Sequence, residues 1–290
     1  MTAGLTAGWR ERRIVCAGIG IAVFERGSTA DGARALVLVH GLGHWTQAAW
    51  DAFAPLLDPA LRVVAFDLPG FGASDKPDAA YDGPFFAHVL DCVLAETAPG
   101  KIVLCGHSVG GYIAANYAAA HPERLERLIL IAPAGFLRAA ALLYMLIGSP
   151  VARWIFTRRP GRNFVNRTLD QSVHDPSLIG PAIRETAYAL ALQPEVRRAF
   201  AGIYTGAIQE FRDGAALHRR LATWTGPTLL IWGRHDRFIP IKALETARGV
   251  YPAAAVLVCE HSGHLPMVEE APLVADAVNA FVGQTQTRPA

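Results

Sequence analysis

The stretch KIVLCGHSVGGYIAANYAAA, residues 101–120, decides the fold. Ile102-Val103-Leu104-Cys105 has the length and apolar, partly β-branched content of a buried parallel strand. Tyr112 to Ala120 has the Ala-rich composition of a helix. Between them lies Gly106-His107-Ser108-Val109-Gly110, a G-x-S-x-G at a strand-to-helix turn. Such a turn forces its apex residue into a strained backbone and leaves that side chain free. Glycines two before and two after remove the Cβ atoms that would collide where strand and helix cross. Ser108 is the apex, and its Oγ is expected at the N-terminus of the helix, where free N–H groups favour a developing negative charge. Ser108 is therefore the candidate nucleophile.

Outward from this stretch, the chain alternates strands and helices. Residues 13–15 and 19–25 read as an antiparallel hairpin around Gly18. Short apolar runs at 35–39, 63–66, 102–105, 128–131, 228–231 and 256–259 read as strands. Helical patterns fall at 47–57, 85–97, 109–120, 241–250 and 266–282, with Asp82 as an N-cap and Pro84 at the start of its helix. This rhythm predicts an α/β protein whose mostly parallel sheet is covered on both faces. Residues 135–226 break it, being helical in pattern with no strand. The expected organisation is a core of 1–134 and 227–290 with 135–226 inserted over the C-terminal strand edge, where such sheets hold ligands.

Composition excludes several classes. The chain has 290 residues, 52% of them hydrophobic, enough for a substantial core and too apolar for disorder. A net charge of +2 carries no global signal for nucleic acid or membrane. The four cysteines, Cys16, Cys92, Cys105 and Cys259, are far apart and form no C-x-x-C pair, so neither a disulfide framework nor a zinc site is expected. No segment has a signal peptide's apolar run or the length to span a bilayer; residues 139–152 are interrupted by Gly148 and Pro150. A cytoplasmic location is the default expectation.

Acyl transfer through a serine makes a tetrahedral oxyanion that needs at least two N–H donors. Val109, next to the nucleophile, supplies one. The loop HGLGHW, residues 40–45, closes the strand at 35–39, and its glycines allow a backbone N–H to point inward. Leu42 is the expected second donor. His40, Gly41, His44 and Trp45 on this loop, with His107 in the turn, are the candidates for substrate contact.

A serine needs a base, and the base an orienting carboxylate. Among ten histidines, His88, His121, His174 and His218 lie in helical or helix-flanking segments, while His261 and His264 follow the last strand. His264 comes after Gly263 and just before a helix start, on a loop able to bring its ring to Ser108; His261 lies close to the strand end. After the strand at 128–131 no Asp or Glu occurs before Asp170, whereas GRHDRFIP after the strand at 228–231 sets Asp236 at the sheet edge. The order Ser108, Asp236, His264 results.

These stretches together, HGLGHW (40–45), DLPGFGASDKP (67–77), GHSVGG (106–111), GRHDRFIP (233–240) and GHLPMVEEAP (263–272), resemble the α/β-hydrolase fold superfamily. The resemblance implies an eight-stranded, mostly parallel sheet with an inserted helical cap after the sixth strand. It also implies hydrolysis without a metal or organic cofactor. The DLPGFG loop is similar to that of carboxylesterases, including the pimeloyl-carrier-protein methyl esterase group. In the family that loop is a structural turn, so Asp67 is not a catalytic candidate. Serine at the nucleophile position argues against the dehalogenases and epoxide hydrolases of this fold, which carry Asp there.

The functional expectation is a serine carboxylic-ester hydrolase acting on a largely apolar small-molecule substrate. The same three residues suit a thioester, lactone, amide or the vinylogous carbon–carbon bond of a ring-cleavage product. A cofactor-free oxidative enzyme and a non-catalytic ligand-binding receptor are the remaining readings of this fold. Residues 134–226 hold twelve Arg, no Lys and six acids, with Arg153, Arg158, Arg159, Arg162 and Arg167 in one acid-free run. These arginines read either as a solvated surface or as a face for an anionic partner: a carrier protein, a coenzyme A or phosphopantetheine phosphate, or an acidic lipid headgroup. Apolar residues at 139–147 and 154–156, with Tyr188 to Leu192, read as packing or pocket lining.

Overall fold

A computed structural model describes residues 8–137, 154 and 158–284 of the chain. The apolar segment 139–147, the pair Ile155–Phe156 and Arg153 lie outside the described residues.

Eight strands form one sheet in the order β1-β2-β4-β3-β5-β6-β7-β8. They are β1 (Arg10–Cys16), β2 (Ile19–Gly27), β3 (Ala35–Val39), β4 (Arg62–Phe66), β5 (Ile102–His107), β6 (Leu125–Ile131), β7 (Thr228–Gly233) and β8 (Ala255–Cys259). The β1–β2 hairpin and the β2–β4 pair are antiparallel, and every pairing from β4 to β8 is parallel. The continuous apolar runs follow from burial of both faces. Val37, Val39, Leu104, Leu128 and Leu130 pack with helices α2 (Gly83–Thr97) and α3 (Val109–Ala120). Their alternates Leu36, Leu38, Val103, Ile129 and Ile131 face the other way, onto Trp50 of α1 (Thr46–Trp50) and Val274 and Val278 near the C-terminus.

Asp82 caps α2 as expected, accepting the Phe85 N–H at 3.0 Å. Two helical expectations need correction. The segment 47–57 is a short α1 followed by a 3-10 turn at Ala54–Leu56. The segment 266–282 is broken at Glu270, whose φ of −123° and ψ of 46° separate a short helix Pro266–Glu269 from a long one Ala271–Gly283. Glu270 leaves the helical backbone region there, and its carboxylate turns back to accept the His261 N–H at 3.0 Å and the Ser262 hydroxyl at 2.6 Å.

The cysteines supply a further correction. Cys16, at the end of β1, is disulfide-bonded to Cys92 on α2, across a sequence separation of 76. Sequence spacing conceals a pair that forms only once the hairpin lies against α2. Cys105 and Cys259 are free and buried, as small core side chains.

Between β6 and β7 the described residues form only helices and turns: α4 (Arg162–Ser172), α5 (Pro181–Ala191), α6 (Pro194–Thr205) and α7 (Gly214–Leu221) among them. Helix α6 lies over the two loops that leave β3 and β4. A Cβ on Gly43 would stand 2.8 Å from the Phe200 ring, and one on Gly70 would stand 2.4 Å from the Ala199 Cβ. No helix among the described residues is long and apolar enough to cross a membrane.

Candidate active site

Ser108 has φ 54° and ψ −120°, a conformation that costs a non-glycine residue about 1–3 kcal/mol. The surroundings hold it. Its N–H donates to the Ile131 carbonyl at 3.0 Å, and its carbonyl accepts from Tyr112 at 3.1 Å and Ala134 at 2.9 Å. The flanking glycines are explained by contact: a Cβ on Gly106 would meet the Gly110 carbonyl oxygen at 2.2 Å, and one on Gly110 would meet that of Val39 at 2.3 Å. Val109 opens α3, so its N–H has no intrahelical partner. Leu42 sits half-buried on the loop after β3. Next to it, a Cβ on Gly41 would stand 3.0 Å from the Ser108 Cβ. The loop after β3 and the turn after β5 thus meet at Ser108.

Asp236, after β7, has both carboxylate oxygens engaged. Oδ1 accepts the N–H groups of Phe238 and Ile239, each at 2.8 Å. Oδ2 accepts from His264 Nδ1 at 2.7 Å, in a pair with side chains 0% and 6% exposed. With the Nδ1 proton committed to the carboxylate, Nε2 is left as the basic nitrogen. The Phe238 ring stands edge-on to His264 at 5.4 Å between centroids. His261, by contrast, is exposed and its backbone is held by Glu270.

Packing gives two of the expected substrate contacts partners within the protein. His40 is 0% exposed, donates from Nδ1 to the Gly41 carbonyl at 2.8 Å, and accepts the Leu68 N–H on Nε2 at 2.9 Å. It ties the loop after β3 to the loop after β4 and has no atom left for a substrate. His107 is also fully buried; its Nε2 donates to the His264 carbonyl at 2.8 Å, and the two rings lie 4.7 Å apart. It braces the His264 loop. Gly41 and His44 stay near the serine turn, with the His44 ring edge-on to His107 at 5.7 Å, while Trp45 is half-buried at the start of α1. Burial lowers the basicity of all three histidines, and His44 falls from the ordinary 6.5 to about 3. Apart from the Asp236 carboxylate, the rings packed against His264, those of His107 and Phe238, are uncharged at neutral pH.

Asp67 accepts the Thr46 N–H on Oδ1 at 2.7 Å and the Ala73 N–H on Oδ2 at 2.8 Å, a loop-building role.

Sequence reasoning missed a set of contacts from the helical segment. His264 donates its N–H to the Ser172 carbonyl at 2.8 Å. Glu269 accepts the Gly263 N–H on one oxygen at 2.6 Å, and those of His174 and Asp175 on the other at 2.5 and 3.1 Å. His174 stacks on His235, the neighbour of Asp236, at 4.1 Å. The acid pair in GHLPMVEEAP was visible, but nothing local reveals that it reaches residues ninety positions away. Among the described residues, one group has metal-binding spacing, Cys16, His88 and Cys92, and its two sulfurs are bonded to each other.

A serine on a strained strand-to-helix turn and a buried carboxylate–imidazole pair at the C-terminal edge of an eight-stranded sheet define the class. The chain belongs to the alpha/beta hydrolase fold family, whose model matches residues 34–271. It is 30% identical over 281 residues to a 2-hydroxymuconate semialdehyde hydrolase of Pseudomonas sp. strain CF600, covering 94% of each chain. A crystal structure of a membrane phospholipase A, described as a bacterial virulence factor, matches with 30% identity and a TM-score of 0.78, over 96% of this chain and 86% of that one. A meta-cleavage product hydrolase from Pseudomonas fluorescens, at 23% identity and TM-score 0.79 over 96% and 98% of the two chains, shares the fold.

Proposed function

We propose that this hydrolase cleaves carboxylic esters of largely apolar substrates through an acyl-enzyme. Ser108 Oγ attacks the ester carbonyl carbon while His264 Nε2 takes its proton. The tetrahedral oxyanion is received by the N–H groups of Val109 and Leu42. Collapse breaks the carbon–oxygen bond, and His264 returns the proton to the leaving alcohol. Water, deprotonated by the same nitrogen, then releases the acid and restores the serine. Asp236 keeps Nδ1 protonated throughout, so that Nε2 is the nitrogen that takes up and returns the proton. The helical segment 135–226 acts as the cap that selects substrate, with Phe200 and Ala199 over the loops beside Ser108.

The observation that carries this reading is the buried Asp236–His264 hydrogen bond beside a shell of uncharged rings. Such a shell suits an uncharged ester group at the reacting centre. Carbon–carbon hydrolysis of a ring-cleavage dienoate is the second reading, favoured by the 30% identity to the semialdehyde hydrolase. Rates on a series of p-nitrophenyl esters, a thioester, a lactone and a dienoate separate them. The ester reading expects the highest kcat/KM on an ester of medium chain length; a dienoate preferred over every ester would overturn it. For the compartment, the Cys16–Cys92 disulfide favours an oxidising one, against the cytoplasmic expectation.

A further inference from the structure

Helix α4 carries two unlike ends. Its last residue, Ser172, holds the His264 N–H. Its first turn carries Phe164, 63% exposed, and ten residues earlier in the chain Trp154 is 55% exposed. No acid occurs from Arg127 to Leu169. The Arg158 guanidinium lies 3.7 Å from the Trp154 ring centroid, and Arg158, Arg159 and Arg167 are all exposed. Phe164, Arg167, Thr168 and Gln171 share one exposed stripe of α4, while Leu169 packs inward. Arg162 differs, pairing with Glu185 and lying over the Tyr188 ring.

We propose that Trp154, Phe164, Arg158, Arg159 and Arg167 form a docking face for an anionic lipid bilayer, and that the substrate class is the acyl ester of a membrane lipid. The substrate half of this inference rests on the ester reading above. Guanidinium groups bind phosphate through paired hydrogen bonds and retain that capacity beside an aromatic ring. Large rings next to them suit the headgroup boundary, where an apolar body enters and charge stays at the phosphates. An acidic carrier protein would engage the arginines but gives no reason for two rings more than half exposed. The bilayer accounts for both. Distance fits as well: at the helical rise, Phe164 and Ser172 are about 12 Å apart along α4, within reach of an extended acyl chain. Docking therefore brings lipid to the end of the helix that braces the catalytic histidine.

The test is co-sedimentation of the full chain carrying Ser108→Ala, so that vesicles are not consumed. It uses vesicles of phosphatidylcholine alone and of about three parts phosphatidylcholine to one part phosphatidylglycerol. The face predicts binding to the anionic vesicles that weakens with salt. It also predicts a loss of about tenfold or more in Arg158→Glu/Arg159→Glu/Arg167→Glu and in Trp154→Ala/Phe164→Ala. With Ser108 intact, both variants should hydrolyse a short soluble ester at the wild-type rate. Equal binding to both vesicle types, unchanged binding by the variants, or capture by an acidic acyl carrier protein but not by vesicles would overturn the face. Vesicle binding without hydrolysis of any ester would leave the face standing and remove the ester reading. Ester hydrolysis without vesicle binding would do the reverse.

Discussion

His264 donates its backbone N–H to the carbonyl of Ser172, at the C-terminal end of α4, at 2.8 Å. The candidate base is thus held by the helical segment between β6 and β7 as well as by the sheet. Glu269 reinforces the join by taking Gly263 on one oxygen and His174 and Asp175 on the other. Movement of that segment and placement of the imidazole are linked through these contacts.

Glu269→Ala should lower kcat/KM by about 10–100-fold, the scale of a small misplacement of a catalytic group. Glu269→Gln keeps one acceptor and should fall between. Burial pushes the Glu269 carboxyl above the ordinary carboxylate range. Its bridging form is present above that raised value and is lost as pH falls through it. The acid limb of the wild-type pH–rate profile should then be steeper than that of Glu269→Gln. Identical profiles would make Glu269 a structural residue only.

Acid should destabilise the fold through His40, His44 and His107. All three are held below the ordinary 6.5, His44 at about 3. Below about pH 6.5 the unfolded chain binds protons that the folded chain refuses, so stability falls as pH drops and is regained above that point. Denaturation midpoints at a series of pH values should fall below about pH 6.5 with a measurable proton slope. His44→Asn should reduce that slope; an unchanged slope would place His44 outside the effect.

The Cys16–Cys92 bond closes a long loop, and reducing it should lower unfolding stability by about 2–4 kcal/mol. Denaturant midpoints with and without a dithiol reductant measure this, with Cys16→Ser/Cys92→Ser as the insensitive control. Four free thiols in the oxidised, denatured protein would contradict the pairing.

His264→Ala should reduce ester turnover by several orders of magnitude, and His261→Ala should leave it within about twofold. The reverse ranking would move the base to His261.

What the sequence made legible was local. Both faces of the sheet are buried, so each strand from β3 to β7 stands out as an apolar run. The serine turn announces itself because Gly106 and Gly110 answer contacts set by the turn itself. Asp236 and His264 could be selected because each follows a strand end. What stayed hidden depends on packing between distant segments. His40 and His107 look like site residues by position and become braces only when both ring environments are known. The Cys16–Cys92 pair needs β1 against α2, and the break at Glu270 needs the loop that its carboxylate holds. The described part of segment 135–226 was legible as helical, but its grip on His264 was not.

Ser108 is proposed to form the acyl-enzyme. The most direct measurement is labelling of the intact protein with a fluorophosphonate, followed by peptide mass mapping. One adduct is expected, on Ser108, with labelling strongly slowed in His264→Ala and Asp236→Ala and no ester turnover in Ser108→Ala. Labelling at another serine, or full ester turnover by a contaminant-free Ser108→Ala protein, would contradict it.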